Sequence, residues 1–525
     1  MRMRASAVFA LLLLARTGAA QTHVNRCVND KDPVPGRMDL DRAIAGGGRI
    51  VFDCPPNTSI RMTAGHTAPA GTLIDGGGNV TLDAHGIQIT MFWAPSGDFA
   101  LANITIQNAA QFHLALGRLG SVIHSFGDVS LDNVTISGSE SPIHIGGGGR
   151  ITGSRFLGNQ GLAVSIRGEA HVEQSTFIGN QTGLSVGLGT VHKSFFGQNT
   201  SGALRVAFPA GEVRIIAATF DANDGQGAIL LSQRSAGGAA GVVVIRRSTF
   251  TNNHHSFAGG AINVYDNTVD APISVRATLQ RFPPARFVLA YDRFAGNGGR
   301  SGGAIRADLG HTAGMVVQGG TFTGNVGQES GGAIAWEGGS LLVTHSVLKS
   351  NRTAGQGSAL FAQSLHAGAR WTVANSLIVE NVGPAQGGAV EAGPASLVNV
   401  TVAKNEGFGI VGTGASRPAI SNAILSENTA GNCRGLDAAA FRGGNLQFGR
   451  NDCPGVALAN PYLDALYVPV GGSPALTLGD VGICRAAPVS RTDIVFQSRG
   501  ALEYCALGAF ESPPIRRIPR RREER

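Results

Sequence analysis

The chain is predicted to be all-β, a right-handed parallel β-helix of about fifteen coils with capped, disulfide-stapled ends, and three observations carry that expectation. An apolar residue is followed three positions later by asparagine at Phe156/Asn159, Phe177/Asn180, Phe196/Asn199, Phe220/Asn223, Phe250/Asn253, Phe294/Asn297, Phe322/Asn325, Leu348/Asn351, Ile378/Asn381, Val402/Asn405 and Leu425/Asn428. Successive asparagines lie 19 to 44 residues apart, the spacing of one supersecondary unit per repeat. Short β-branched runs separated by glycine and asparagine fill each interval, as in Val242-Val243-Val244-Ile245 followed by Ser248-Thr249-Phe250. Finally, 76 glycines leave no window of ten or more residues with helical apolar spacing. The motif always returns in one orientation, which predicts parallel stacking rather than hairpins.

Each element then has a place. The aromatic residue is expected to point inward onto its counterpart in the next coil, while asparagine, tolerant of left-handed backbone, turns the corner and bonds neighbouring amides. A second corner is read in Gly259-Gly260-Ala261-Ile262, Gly302-Gly303-Ala304-Ile305, Gly331-Gly332-Ala333-Ile334, Gly357-Ser358-Ala359-Leu360 and Gly387-Gly388-Ala389-Val390. Glycine there permits a tight bend and alanine fits a narrow interior. Asn103-Ile104-Thr105-Ile106 and Asn133-Val134-Thr135-Ile136 read as earlier coils in which alanine or serine replaces the corner asparagine. At roughly 4.8 Å per coil the rod is expected to be about 70 Å long.

The expected organisation is a signal peptide over 1–20, an N-terminal cap over 21–72, coils over 73–430 with an insertion at about 264–292, a C-terminal end region over 431–514 and a basic tail over 515–525. Arg2 and Arg4, an apolar run from Ala5 to Ala15 and the exit Gly18-Ala19-Ala20 predict cleavage before Gln21. No later apolar run is long enough for a membrane helix. Asp39-Leu40-Asp41-Arg42-Ala43-Ile44 predicts a short capping helix. The formal charge of +7 resides in the leader and the arginine-rich tail, so the body is neutral and nucleic acid is not an expected partner. The six cysteines avoid the repeats, and proximity favours Cys27–Cys54, Cys433–Cys453 and Cys484–Cys505 over zinc ligation.

Three stretches resemble known families. Asp39–Ile44, Arg49-Ile50-Val51-Phe52 and Ile74-Asp75-Gly76-Gly77-Gly78 resemble the opening of secreted pectate-lyase-like β-helix proteins, and the Phe-x-x-Asn and Gly-Gly-Ala-Ile repeats resemble those of polymorphic outer membrane proteins, a surface-adhesin family. Asn460-Pro461-Tyr462-Leu463, Gly472-Ser473-Pro474-Ala475-Leu476, Gly479-Asp480 and Leu507-Gly508-Ala509-Phe510-Glu511 resemble the end of choice-of-anchor Q proteins. The resemblances imply a secreted or cell-surface noncatalytic protein, adhesin-like, binding a glycan or other surface polymer.

The alternatives are a polysaccharide lyase or hydrolase and a structural envelope component. Arg281-Phe282-Pro283-Pro284-Ala285-Arg286 matches the R-x-P-x-x-R of pectate lyases, which by resemblance makes Arg281 a base and Arg286 a substrate contact, with Ca2+ required only in that case. The companion Trp-x-Asp-His segment and the Asn-Thr-Asp cluster of β-helix hydrolases are missing. Ligand-binding candidates are Tyr265, Asp266, Asp270, Arg276, Phe282 and Tyr291, an aromatic and charged mixture in the widest gap of the repeat. Trp336 is expected in the core, with Trp371 either core or surface. The histidines read as scattered singly, His254-His255 as turn residues, and Glu329, Glu337 and Glu391 as solvated side chains or the lining of an acidic face.

Overall fold

The computed structural model describes residues 21–511 apart from 33, 85–89, 96, 110–120, 141, 208–210, 234–240, 267–285, 364–370, 414–417 and 500–503. The leader and the basic tail fall outside the described residues. The chain divides into an N-terminal unit, residues 1–254 with 262–283, and a C-terminal unit, residues 255–261 with 284–525. Each is a parallel β-helix.

One coil of the N-terminal unit shows how the repeat folds. Leu184-Ser185-Val186 forms a first face, Gly189–His192 a second and Phe195–Gly197 a third, each paired in parallel with the coils before and after. Apolar residues stand in register: Val164, Leu184, Leu204, Ile229 and Ile262 on the first face, Val172, Val191, Ile215 and Ile245 on the second. On the third, Phe156, Phe177, Phe196, Phe220 and Phe250 stack with ring centroids 4.7 to 4.9 Å apart and planes within 12° of parallel. That separation is the strand spacing itself, so one ring per coil fills the interior without a void. The C-terminal unit repeats the arrangement with Phe294 on Phe322, then Leu348, Ile378, Val402 and Leu425 in register.

The corner asparagines are buried and form a ladder. In each unit the Oδ1 of one asparagine accepts both the backbone N–H and the Nδ2 of the asparagine one coil earlier, as Asn199 does from Asn180 at 3.1 Å each and Asn381 does from Asn351 at 2.9 and 3.0 Å. The remaining Nδ2 proton goes to the carbonyl of the aromatic position a coil back, Asn180 to Phe156 and Asn351 to Phe322. Every amide atom is thereby satisfied away from water.

One expectation is corrected. The left-handed residue is the one before the asparagine, from Gly158, Gly179, Gln198, Ala222 and Asn252 to Ser350, Glu380, Lys404 and Glu427, with φ between 51° and 65°. The asparagine itself is spent on inward bonding, so strain falls on the exposed neighbour, whose identity varies because nothing else constrains it. A second ladder lies two positions before the aromatic. Ser175 Oγ accepts the N–H of Ser154, Ser194 Oγ that of Ser175, and Ser376 Oγ that of Ser346. The early coils fit the same plan: Ser139 Oγ accepts Ala109 N–H, and Ser139 N–H is taken by Asn159, so alanine and serine do occupy the asparagine column.

The second corner also conforms. Gly302, Gly331 and Gly357 have φ of 58° to 70°, and Ala304, Ala333, Ala359 and Ala389 are fully buried. Trp336 is core, held between Ala307 and Ala362 of adjoining coils, and Trp371 is core as well.

The ends are specialised. Helix Leu40–Gly46 is capped by Asp39, whose carboxylate accepts Arg42 N–H at 2.9 Å. His66 lies buried between Asp41 at 2.9 Å and Asp30 at 3.0 Å, clamping that helix to the strands beneath. Burial alone would raise the Asp30 carboxyl, but hydrogen bonds from His66 and Thr63 override it and hold it at about 2. The three disulfides pair as proximity favoured.

Beyond the last coils, the described residues of 460–511 run back along the C-terminal unit as a strap over one corner column. Asn422 exchanges hydrogen bonds with Asp480, Asn399 donates to Ala506 O, Asn375 to Val489 O, and His345 pairs with Thr492 at 2.9 Å. Arg499 knots the strap: its buried guanidinium donates to the carbonyls of Thr492, Ala506, Gly508 and Ala509 and meets Glu511 at 3.3 Å. Burial lowers Arg499 to about 10 and raises Glu511. Of the segments resembling choice-of-anchor Q ends, Asp480 and Gly508-Ala509 join the strap to the coils, and Ser473 bonds within the strap to Pro461 O.

Candidate functional site

The first face of each coil, the strand after the small-residue corner, projects one side chain outward per coil. In the N-terminal unit successive coils place Trp93 of strand Phe92–Ala94, His124 of Ile123–Ser125, His144 of Ile143–Ile145, Ser165 and Ser185, and Arg205 of Leu204–Ala207 in one register column. Period-2 alternation sends Phe92, Ile123 and Ile143 into the core and therefore Trp93, His124 and His144 out.

These side chains pack on one another. Trp93 and His124 have ring centroids 4.8 Å apart, and Phe126 stands edge-on to both, at 5.3 Å from Trp93 and 5.5 Å from His124. His144 follows at 5.8 Å from His124. Phe126 is 56% exposed although its ring is wholly apolar. Burial, reinforced by Arg167, lowers the pKa of both histidines, so at neutral pH they are uncharged imidazoles, each with one donor and one acceptor nitrogen. Among the described residues, none hydrogen-bonds either ring. The result is an aromatic platform with unused hydrogen-bonding capacity, which suits a ligand having apolar faces and hydroxyl edges.

Sequence reasoning missed this site and treated the histidines as isolated. The signal was present in Ile123-His124 and Ile143-His144, the same dipeptide 20 residues apart, about one coil. His254-His255 behave as expected of turn residues: the buried His255 accepts the N–H groups of Phe257 and Ala258 on Nδ1. Glu391 is corrected, being buried, with its carboxylate accepting N–H from Gly388 at 2.9 Å and Gly357 at 3.3 Å. Glu329 and Glu337 are paired with Arg300 and Arg306.

The candidates drawn from the insertion are not gathered into a site. Asp270, Arg276, Arg281 and Phe282 lie outside the described residues. Tyr265 and Asp266 belong to strand Ile262–Asp266, in register with Ser232 and Gln233. Arg286 opens strand Arg286–Ala290 opposite Gly314, so it stands on a rung where a loop was expected. Tyr291 sits at a left-handed corner with φ of 60° and meets Phe496 of the strap. Among the described residues, no group of three or more His, Cys, Asp or Glu is arranged to hold a metal ion, and no helix is long and apolar enough to cross a membrane.

No family model and no curated protein matches the chain. A solved structure similar to it is tailspike protein 3 of bacteriophage CBA120, at 11% identity and a TM-score of 0.31, with 85% of this chain and 62% of the tailspike covered. The chain thus spans less than two thirds of that protein's length.

Proposed function

We propose that this is a secreted or cell-surface β-helix protein that binds a glycan or another surface polymer without cleaving it, in the manner of an adhesin. The observation that carries the reading is the Trp93–His124–Phe126–His144 platform. It offers ring faces for sugar stacking and free imidazole nitrogens for hydroxyls on a rigid sheet whose geometry is set by the coil spacing. Secretion is supported by the leader sequence and by three disulfides, which persist in oxidising compartments. The repeat resemblance to polymorphic outer membrane proteins and the strap motifs resembling choice-of-anchor Q ends agree with a surface role.

The test is to incubate the mature protein, with and without Ca2+, against plant, algal and bacterial polysaccharides and follow polymer size by chromatography. Earlier elution of a polymer as a complex is expected. Shortening of a polymer identifies an enzyme instead, with Arg281 and Arg286 the first positions to substitute.

A further inference from the structure

We propose that the polymer bound on this face is an acidic glycan, and that Arg167 holds its anionic group beside the Trp93 platform; this rests on the glycan-binding reading above. Arg167 is exposed and follows Ile166, which is in register with Ile145 and Val186. The next residues on those flanking rungs are Gly146 and Gly187, so neither rung places a side chain beside Arg167. A Cβ at Gly146 would come within 3.1 Å of the Phe126 backbone, so the notch beside Arg167 can hold only glycine without displacement. Among the described residues no carboxylate pairs with Arg167, and the outward column contains none. Asp128, around the bend, is occupied by Gly148 N–H at 2.6 Å.

Arg167 thus places a positive charge beside the platform on a unit whose bulk charge is balanced. The histidines register it, since Arg167 is the charged side chain outside the pair that shifts them. A guanidinium with no ion-pair partner among the described residues, at the rim of an aromatic platform, meets a carboxylate or sulfate in a two-pronged, charge-assisted geometry, while the platform takes the sugar ring. The same field opposes a metal cation between the two imidazoles.

The test compares alginate with carboxyl-reduced alginate, and dextran sulfate with dextran, by calorimetry on the mature protein, wild type and variants. At least one acidic polymer is expected to bind about tenfold more tightly than its neutral counterpart, and the arm showing the preference tells carboxylate from sulfate. Arg167→Gln is expected to abolish that preference, and Arg150→Gln, which removes an equal charge from the second face, to leave it intact. Equal losses in the two arginine variants would reveal bulk electrostatics and overturn the proposal. Equal binding of acidic and neutral forms, lost in Trp93→Ala, would overturn the acidic ligand while keeping glycan binding. No effect of Trp93→Ala on any polymer would overturn both.

Discussion

The two units build the same strand after the same small-residue corner and finish its outward side differently. In the N-terminal unit that column reads Trp93, His124, His144, Ser165, Ser185 and Arg205, all at least partly exposed and free of ion pairs among the described residues, and continues into Leu230 and the buried Asn263. In the C-terminal unit Arg306 is paired with Glu337, and the next positions in register, Ala335, Phe361, Glu391 and Val411, are 1%, 7%, 2% and 3% exposed. The inward side is alike in both, because the Phe stacks and asparagine ladders leave no freedom there. A repeat thus constrains its interior and leaves its exterior open to specialisation, one unit keeping an exposed aromatic column and the other burying the equivalent positions.

The largest expected effect is one the units share. Asn199→Ala or Asn351→Ala strands a buried N–H and a buried carbonyl in the preceding coil, and each is expected to cost about 3 kcal/mol or more in chemical denaturation. A loss in only one unit would break the claim that the interiors are equivalent. Trp336→Ala is next, a core truncation expected to cost about 3–5 kcal/mol while leaving polymer binding unchanged. Trp93→Ala should invert that pattern, changing stability by less than about 1 kcal/mol and weakening binding about tenfold or more. Arg499→Ala takes the guanidinium from four strap carbonyls, of which Ala506 keeps the Asn399 amide and Ala509 the Ile494 N–H, and is expected to open the strap to limited proteolysis while the N-terminal unit resists.

pH gives the smallest and most discriminating effects. The depressed histidines charge only below the ordinary imidazole value of about 6.5, so affinity for an acidic polymer should be flat above it and rise as pH falls, with Arg167, Trp93 and Phe126 the groups facing them. Asp30 acts at lower pH: its folded value lies below the unfolded one of about 3.9, so its contribution is complete above that value and is lost as pH falls toward 2. Far-UV circular dichroism of the wild type and Asp30→Asn in acid would show it, the variant losing its transition in that window.

Much of the interior was legible because each inward residue repeats with the coil. Phe156 through Phe250, the asparagine column, the Gly-Gly-Ala corner, the Asp39 cap and the cysteine pairs all come from local pattern and spacing. The serine ladder was equally visible, two positions before Phe156, Phe177, Phe196 and Phe250, but serine in a strand boundary has so many uses that its period carried no weight until Oγ met the next N–H. The aromatic platform was illegible for another reason. Trp93, His124 and His144 lie 31 and 20 residues apart, and unequal coil lengths hide their alignment until the register is known. The strap is not periodic, so nothing in its residues announces that Asp480 meets Asn422 or Thr492 meets His345.

The central claim is a location, and oxidative footprinting of the protein with and without a bound polysaccharide tests it most directly. The account predicts that Trp93, Phe126, His124 and His144 are protected by the polymer while Tyr291, Phe496 and the other exposed aromatics of the C-terminal unit keep their reactivity. Protection confined to the C-terminal unit, with the Trp93 platform unchanged, would contradict it.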